Sequence, residues 1–212
     1  MFVKEWMTTN PIMVTEQTPL LEAGELMRQH KITRLLVLRE DHLVGIVTKE
    51  DLLKVSPSTA TTLSVWELNY VLSKLVIKEA MTKNPLSIDP EATIEEAALW
   101  MQKNGVSSLP VLAAGRLVGI ITESDIFRAF VDLMGLQRVG IRLTIDLENR
   151  IGIVAGLTDL LKQAEVNIIS LAIFHREDTH GELVLRLENT QTDILLGKLE
   201  QAGYKVIHLS KF

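Results

Sequence analysis

A nine-residue stretch occurs twice in this chain. Gly45-Ile46-Val47-Thr48-Lys49-Glu50-Asp51-Leu52-Leu53 is matched by Gly119-Ile120-Ile121-Thr122-Glu123-Ser124-Asp125-Ile126-Phe127, 74 positions on. The same offset pairs Lys4 with Lys78, Met7 with Met81, Asn10-Pro11 with Asn84-Pro85, Glu22-Ala23 with Glu96-Ala97, and Met27 with Met101. About a third of the paired positions are identical, and others, such as Ile12 with Leu86 and Val14 with Ile88, are apolar for apolar. Repetition over this length constrains the fold before any local pattern does. Two copies are too few for a solenoid, so the expectation is a pseudo-symmetric pair that buries a shared face.

Each copy reads as β-α-β-β-α, over residues 3–54 and 77–129. Asn10-Pro11 signals a turn, and Ile12 to Val14 a brief strand. Thr18 is the expected N-cap of a helix with Pro19 in its first turn, running to about Gln29 on the spacing of Leu20, Ala23, Leu26 and Met27. Leu35 to Leu38 is a buried strand, Arg39 to His42 a polar hairpin turn, and Leu43 to Val47 the return strand. Residues 57–76 form a linker helix with a broad apolar face.

From Val139 the offset ends. Ile141, Leu143, Ile145 and Leu147 alternate with polar residues, the pattern of a half-buried strand. A helix follows from Ile153 to Ala164, then strands at Asn167 to His175 and Glu182 to Leu187, a helix at Asp193 to Ala202, and a last strand from Tyr204. That β-α-β-β-α-β order is ferredoxin-like. The fold class is therefore α+β, with repeats at 1–56 and 77–134 and a third domain at 138–212.

Composition removes several chemistries. The chain has no cysteine, hence no disulfide, thiolate metal site or cysteine nucleophile. A net charge of −5 argues against nucleic acid as a partner. There is no signal-peptide core and no run approaching the roughly 18 apolar residues of a membrane span, so a soluble, cytoplasmic protein is expected. The five histidines show no metal-ligand spacing. No nucleophile elbow, Walker loop or dinucleotide fingerprint is present, and no catalytic set.

Two readings compete for Thr48-x-x-Asp51 and Thr122-x-x-Asp125. Threonine followed three residues later by an acid, at the head of an apolar helix, is a capping-box pattern, and the helix dipole favours the acid there. The same place is an anion-binding position, where a carboxylate can also accept ribose hydroxyls. Arg34 enters a buried strand, as a salt bridge or as a phosphate contact; its counterpart in the second copy is Ser108.

Residues 3–129 resemble a tandem pair of CBS domains, the regulatory modules named after cystathionine beta-synthase. The resemblance is carried by Met7-x-x-Asn10-Pro11 and Met81-x-x-Asn84-Pro85, by Ala23 and Ala97, by Leu109-Pro110-Val111, and by the doubled Gly-x-x-Thr-x-x-Asp. Residues 139–212 resemble an ACT domain through their element order and Glu148-Asn149-Arg150-Ile151-Gly152, although that family often has proline where Ile151 stands. The combination resembles a group of bacterial acetoin utilisation proteins. The resemblance implies a non-enzymatic sensor with a regulatory ligand, an adenine nucleotide (AMP, ADP or ATP) or S-adenosylmethionine, in two clefts that each draw on both copies. One cleft would join Thr122, Asp125 and Ile120 to Ile12, Ile32 and Thr33. The other would join Ile46, Thr48 and Asp51 to Leu86, Val106 and Ser107, with Arg34 facing its phosphates. Lacking a cation at Ser108, the Asp125 cleft would suit a neutral adenosyl ligand. The ACT domain would dimerise and bind a small ligand at Asn149, Ile151 and Gly152, giving a homodimer with no membrane partner and an unknown partner enzyme. The alternatives are a purely structural dimerisation module and an accessory subunit of an enzyme of acetoin metabolism.

Overall fold

The computed structural model of the chain describes residues 1–55, 74–148, 150–175, 180–188 and 192–212. The expected linker helix lies outside the described residues up to residue 73. The chain divides into two compact units, Met1–Ile126 and Phe127–Phe212.

The first unit opens with α1 (Val3–Trp6), β1 (Thr8–Thr9), β2 (Met13–Thr15) and α2 (Leu20–Gln29). The hairpin of β3 (Arg34–Arg39) and β4 (His42–Thr48) follows, then α3 (Lys49–Val55). The second copy supplies β5 (Thr82–Lys83), α4 (Ile94–Asn104), β6 (Ser108–Ala113), β7 (Arg116–Thr122) and α5 (Glu123–Leu133). Both hairpins turn through two residues of positive φ, Glu40 and Asp41 in one and Ala114 and Gly115 in the other. This is the turn whose twist matches that of the flanking strands. Asn10 and Asn84 are also left-handed, at φ 53° and 48°, a conformation asparagine tolerates better than most residues.

The repeats exchange their first strands. β1 of the first copy pairs with β7 of the second, Thr8 against Ile120 and Thr9 against Gly119. β5 of the second pairs with β4 of the first, Thr82 against Ile46 and Lys83 against Gly45. The two glycines are required there. A Cβ on Gly119 would lie 2.7 Å from Met7 Sδ and 2.9 Å from the Thr8 carbonyl oxygen; on Gly45 it would lie 2.6 Å from Met81 Sδ. The repeated Met and Gly are thus the two sides of one interlocking contact, made twice. Ile77 and Met81 enter the core of the first repeat beside Ala23, Leu35 and Val47, while Leu36, Ile46 and Ile120 pack together between the repeats.

Two local expectations change. Thr18 does not cap α2: its hydroxyl accepts from the Thr15 N–H at 3.1 Å, and Pro19 takes the N-cap position. The brief strand begins at Met13, one residue late, and in the second copy shrinks to a single bridge between Ile88 and Val111. Pro90, soon after Ile88, has no N–H for a longer ladder.

The second unit holds β8 (Ile141–Glu148), α6 (Ile153–Gln163), β9 (Ile168–His175), β10 (His180–Leu187), α7 (Thr192–Gln201) and β11 (Lys205–Lys211). Its sheet runs β11-β8-β10-β9 with every neighbouring pair antiparallel. Ile141, Leu143, Ile145 and Leu147 all face the core, against Leu157, Leu161, Leu195 and Leu199 of the two helices. The α+β class, a repeat pair and a ferredoxin-like unit, is the one the sequence predicts. Among the described residues no helix is long and apolar enough to cross a membrane.

Candidate ligand cleft between the repeats

β7 ends at Thr122, and α5 starts at the next residue. The Thr122 N–H and hydroxyl both donate to Asp125 Oδ2, at 2.9 and 2.7 Å. The Asp125 N–H points back at the Thr122 hydroxyl, 3.4 Å away. Thr48 and Asp51 repeat this, at 3.0, 2.7 and 3.2 Å. Both motifs are therefore closed capping boxes with aspartate in the role usually taken by glutamate. They differ in environment. Asp125 is 6% exposed, whereas the Asp51 side chain is 18% exposed and lies 3.5 Å from Lys54 Nζ.

Beside the Thr122 turn is a cleft of about 480 Å³, within the range of about 300–1,000 Å³ usual for small-molecule sites. The first copy provides its apolar walls, Pro11, Ile12, Ile32 and Leu36, and the second adds Ile120. The second copy's polar end is Ser107, Thr122, Glu123 and Ser124, the last two being the first residues of α5. Three basic side chains from the first copy, His30, Lys31 and Arg34, join the polar Thr8, Asn10 and Thr33 of the same copy in the lining.

Arg34 ties the copies together. Its Nη1 donates to the Ser107 carbonyl at 2.8 Å, and the Thr33 hydroxyl lies 3.3–3.4 Å from Nη2 and Nε. Burial holds its pKa below the ordinary guanidinium value, opposed by the charges of Glu123, Glu50 and Asp125. Those acids belong to the helix starts of both copies, so the cation sits within reach of both turns.

Of the residues the sequence points to, Ile12, Ile32, Thr33, Ile120 and Thr122 meet in this cleft, and the buried Asp125 holds Thr122 in place. Arg34 and Ser107, expected in the other cleft, line this one. Register explains the difference: Arg34 is paired with Thr48 across the hairpin, but its side chain reaches across to the second copy. The absence of a cation at Ser108 thus does not leave the Asp125 cleft neutral. Ile46 is buried between the repeats. Thr48, Asp51, Leu86 and Val106 do not line the cleft; Leu86 is 42% exposed. Thr8, Asn10, Pro11, His30, Lys31, Leu36, Glu123 and Ser124 also line the cleft, beyond the residues the sequence points to. Lys31 had a signal, since it takes the left-handed position after α2 (φ 53°) that Gly105 takes after α4.

A slightly larger hollow of about 540 Å³ between α2 and α3 is lined by Leu20, Leu21, Gly24, Met27, Leu52, Leu53 and basic residues. It has no carboxylate and no hydroxyl at a helix start to orient a ligand, so the smaller cleft is the better candidate. In the second unit a hollow of about 330 Å³ includes Glu148, Arg150 and Gly152. Gly152 stands at the start of α6 with φ 87°. Ile151 is fully exposed and does not line it, and Asn149 is outside the described residues. Among the described residues no cluster of side chains could hold a metal ion.

Comparison with known proteins agrees with this architecture. The CBS domain family matches residues 3–58 and 77–132, and the TTHA0829-like ACT domain family matches residues 139–210. An inosine-5'-monophosphate dehydrogenase of Korarchaeum cryptofilum is 28% identical over 89% of this chain, which spans only 37% of that enzyme. Among solved structures, a Vibrio cholerae protein assigned to acetoin utilization (AcuB) is 30% identical over 65% of this chain and 95% of its own, with a TM-score of 0.54. CBSX2 of Arabidopsis thaliana, solved in complex with AMP, is 32% identical over 61% of this chain and 96% of its own, with a TM-score of 0.52. The CBS domain pair of protein MJ0100, solved with 5'-methylthioadenosine and S-adenosyl-L-methionine, is 29% identical over 61% and 95%, with a TM-score of 0.51.

Proposed function

We propose that this chain, which belongs to the CBS-domain family and carries an ACT domain behind its CBS pair, is a non-catalytic sensor of adenosyl ligands. The carrying observation is the convergence in one cleft of an apolar wall and three basic side chains from one copy with a hydroxyl-bearing helix start from the other. An apolar slot with a few convergent polar groups is what a purine ring and its ribose need. The helix start and the cations suit a phosphate, so a nucleotide such as AMP fits better than an uncharged adenosyl compound. The base would slot between Ile12, Ile32 and Ile120. Asp125, which holds Thr122 against the cleft, would accept the ribose hydroxyls on ligand entry. Lys31 and Arg34 would meet the phosphate. CBSX2 holding AMP, and the MJ0100 pair holding methylthioadenosine and S-adenosylmethionine, support this class of ligand.

Ligand would bias a homodimer between two arrangements, through its differential affinity for them. The ACT domain would dimerise or take a small ligand near Gly152. The likeness to the Vibrio cholerae protein supports a setting in acetoin utilisation; a place in the cytoplasm is part of the same proposal. Calorimetry on the full chain with AMP, ADP, ATP, S-adenosylmethionine and amino acids is the test. Saturable binding of AMP at one site or two is expected, and heats no larger than dilution for every adenosyl compound would refute the sensor. The closed capping boxes favour one rival, a structural module whose aspartates only cap helices, and the same titration separates the two.

A further inference from the structure

The sheet of the second unit has one face in the core and one opposite. On the opposite face the register sets four polar residues side by side, one per strand: Ser210 faces Arg142, Arg142 faces Arg186, and Arg186 faces Ser170. Two arginines directly across from one another repel, and such pairs are normally avoided in sheets. Here the arrangement is costlier still, because Arg186 is only 6% exposed. A buried charge is ordinarily paired and hydrogen-bonded. Arg186 is not: its Nε is buried without a hydrogen-bond partner, and no hydrogen bond or ion pair reaches its guanidinium among the described residues.

The neighbouring groups do not remedy this. Phe212 stacks on the guanidinium, 3.4 Å from Cζ to ring centroid, which orients the plane but accepts no N–H in it. Glu188 is turned to the Asn167 amide at 3.0 Å, and Asp146 to Lys205 at 3.3 Å. Arg142 gives one N–H to the Thr144 hydroxyl at 2.8 Å. The Ser170 hydroxyl proton goes to the Met134 carbonyl. What is left, among the described residues, is two cations with donors to spare and the Ser210 hydroxyl, with no carboxylate hydrogen-bonded to either arginine. Burial depresses the Arg186 pKa, and the charge of Arg142 adds to the effect.

We propose that this row is a binding site for a phosphate group, gripped by Arg142 and Arg186 with Ser210 beside them. A phosphate carries close to two negative charges at neutral pH and at least three acceptor oxygens, matching two guanidinium forks. A single carboxylate has one charge and two oxygens, and would leave one arginine unmatched. The site lies within the second unit and is separate from the nucleotide cleft, so the chain would read phosphate as well as adenosyl ligand.

The test is calorimetric titration of the full chain with inorganic phosphate and, separately, with glycerol 3-phosphate, in chloride buffers of matched ionic strength. Arg186→Met and Arg142→Met should each weaken binding at least tenfold. Asp125→Asn should leave phosphate binding unchanged while it weakens AMP. Tighter binding of the ester would identify a phosphorylated metabolite as the occupant, and tighter binding of the inorganic ion free phosphate; either supports the site. If Arg186→Met does not fold, Arg142→Met, at a half-buried position, carries the test alone. No saturable phosphate binding by the wild type overturns the proposal. So does binding that survives both arginine substitutions, or that is abolished by Arg34→Met instead.

Discussion

Gly119→Ala is expected to destabilise the CBS pair more than Gly45→Ala, although the two glycines occupy equivalent places in the repeat. At Gly119 the new Cβ meets the Thr8 carbonyl oxygen at 2.9 Å and Met7 Sδ at 2.7 Å. At Gly45 it meets the Thr82 carbonyl oxygen at 3.2 Å and Met81 Sδ at 2.6 Å. A thioether can shift about its own rotatable bonds without moving the backbone, in the core at Met81 as at the half-buried Met7. A backbone oxygen in a ladder can retreat only if its strand moves, and 2.9 Å demands movement where 3.2 Å needs a few tenths of an ångström. Overpacking of this kind costs about 1–3 kcal/mol, and the lower entropy of the unfolded alanine chain returns about 0.4–1 kcal/mol. The net loss is then about 1–2 kcal/mol for Gly119→Ala and about 0–1 kcal/mol for Gly45→Ala. In a domain of this size each kcal/mol lowers the melting temperature by roughly 3–6 °C. Thr8 on the moved strand and Ile120, its partner across the ladder, both line the cleft, so Gly119→Ala should weaken AMP as well. Adding Met81→Ala to Gly45→Ala should remove that variant's steric clash, whereas adding Met7→Ala to Gly119→Ala should not. Thermal denaturation and AMP calorimetry on the four variants read this out. Equal melting temperatures for the two glycine variants, with AMP affinity intact in both, would refute the exchanged-strand contact and the cleft built on it.

Asp125→Asn should lower AMP affinity at least tenfold, since a charge-assisted hydrogen bond is worth about 1.5–3 kcal/mol and the amide has one acceptor oxygen instead of two. A fall in melting temperature with unchanged affinity would reduce the motif to a cap. Arg34→Met should weaken AMP far more than 5'-methylthioadenosine, which has no phosphate; equal losses in paired titrations would show that Arg34 acts only through the Ser107 carbonyl. Glu16 is held below the ordinary carboxylate pKa of 4.5, chiefly by its hydrogen bonds to Arg39. A depressed pKa contributes stability above the unfolded value and loses it as pH falls through the folded one. The melting temperature should therefore fall more steeply below pH 4.5 in the wild type than in Glu16→Gln, and identical profiles would remove Glu16 from the acid response. The chain should be a dimer by light scattering at micromolar concentration, and a monomer there would refute the homodimer.

The parts of this molecule that were legible in the sequence are those whose cause is local or doubled. Alternation along Ile141 to Leu147 identified a core face because side chains in a strand alternate whatever pairs with it. The 74-residue offset marked Met7, Met81, Gly45 and Gly119 as belonging together, but not how. Their meeting is crosswise, Met7 on Gly119 and Met81 on Gly45, and only the exchange of β1 and β5 between the sheets makes it so. The same exchange bears on the candidate site. Walls and helix start could be assigned to one cleft because the resemblance to CBS pairs is carried by short local motifs that contain or adjoin them. Arg34 could not, since its assignment depends on which way a long side chain leaves the hairpin, and its target is a backbone carbonyl, which no sequence pattern marks. The arginine row is the extreme case. Arg142 and Arg186 each stand at an outward position of a strand with apolar residues on either side, the usual place for a solvated charge. What makes them unusual is being opposite each other, and that follows from the register of β8 with β10. A shift of one residue in that register would send every side chain of one strand to the other face. The core leucines hold the register, so the packing of one face places the two charges together on the other.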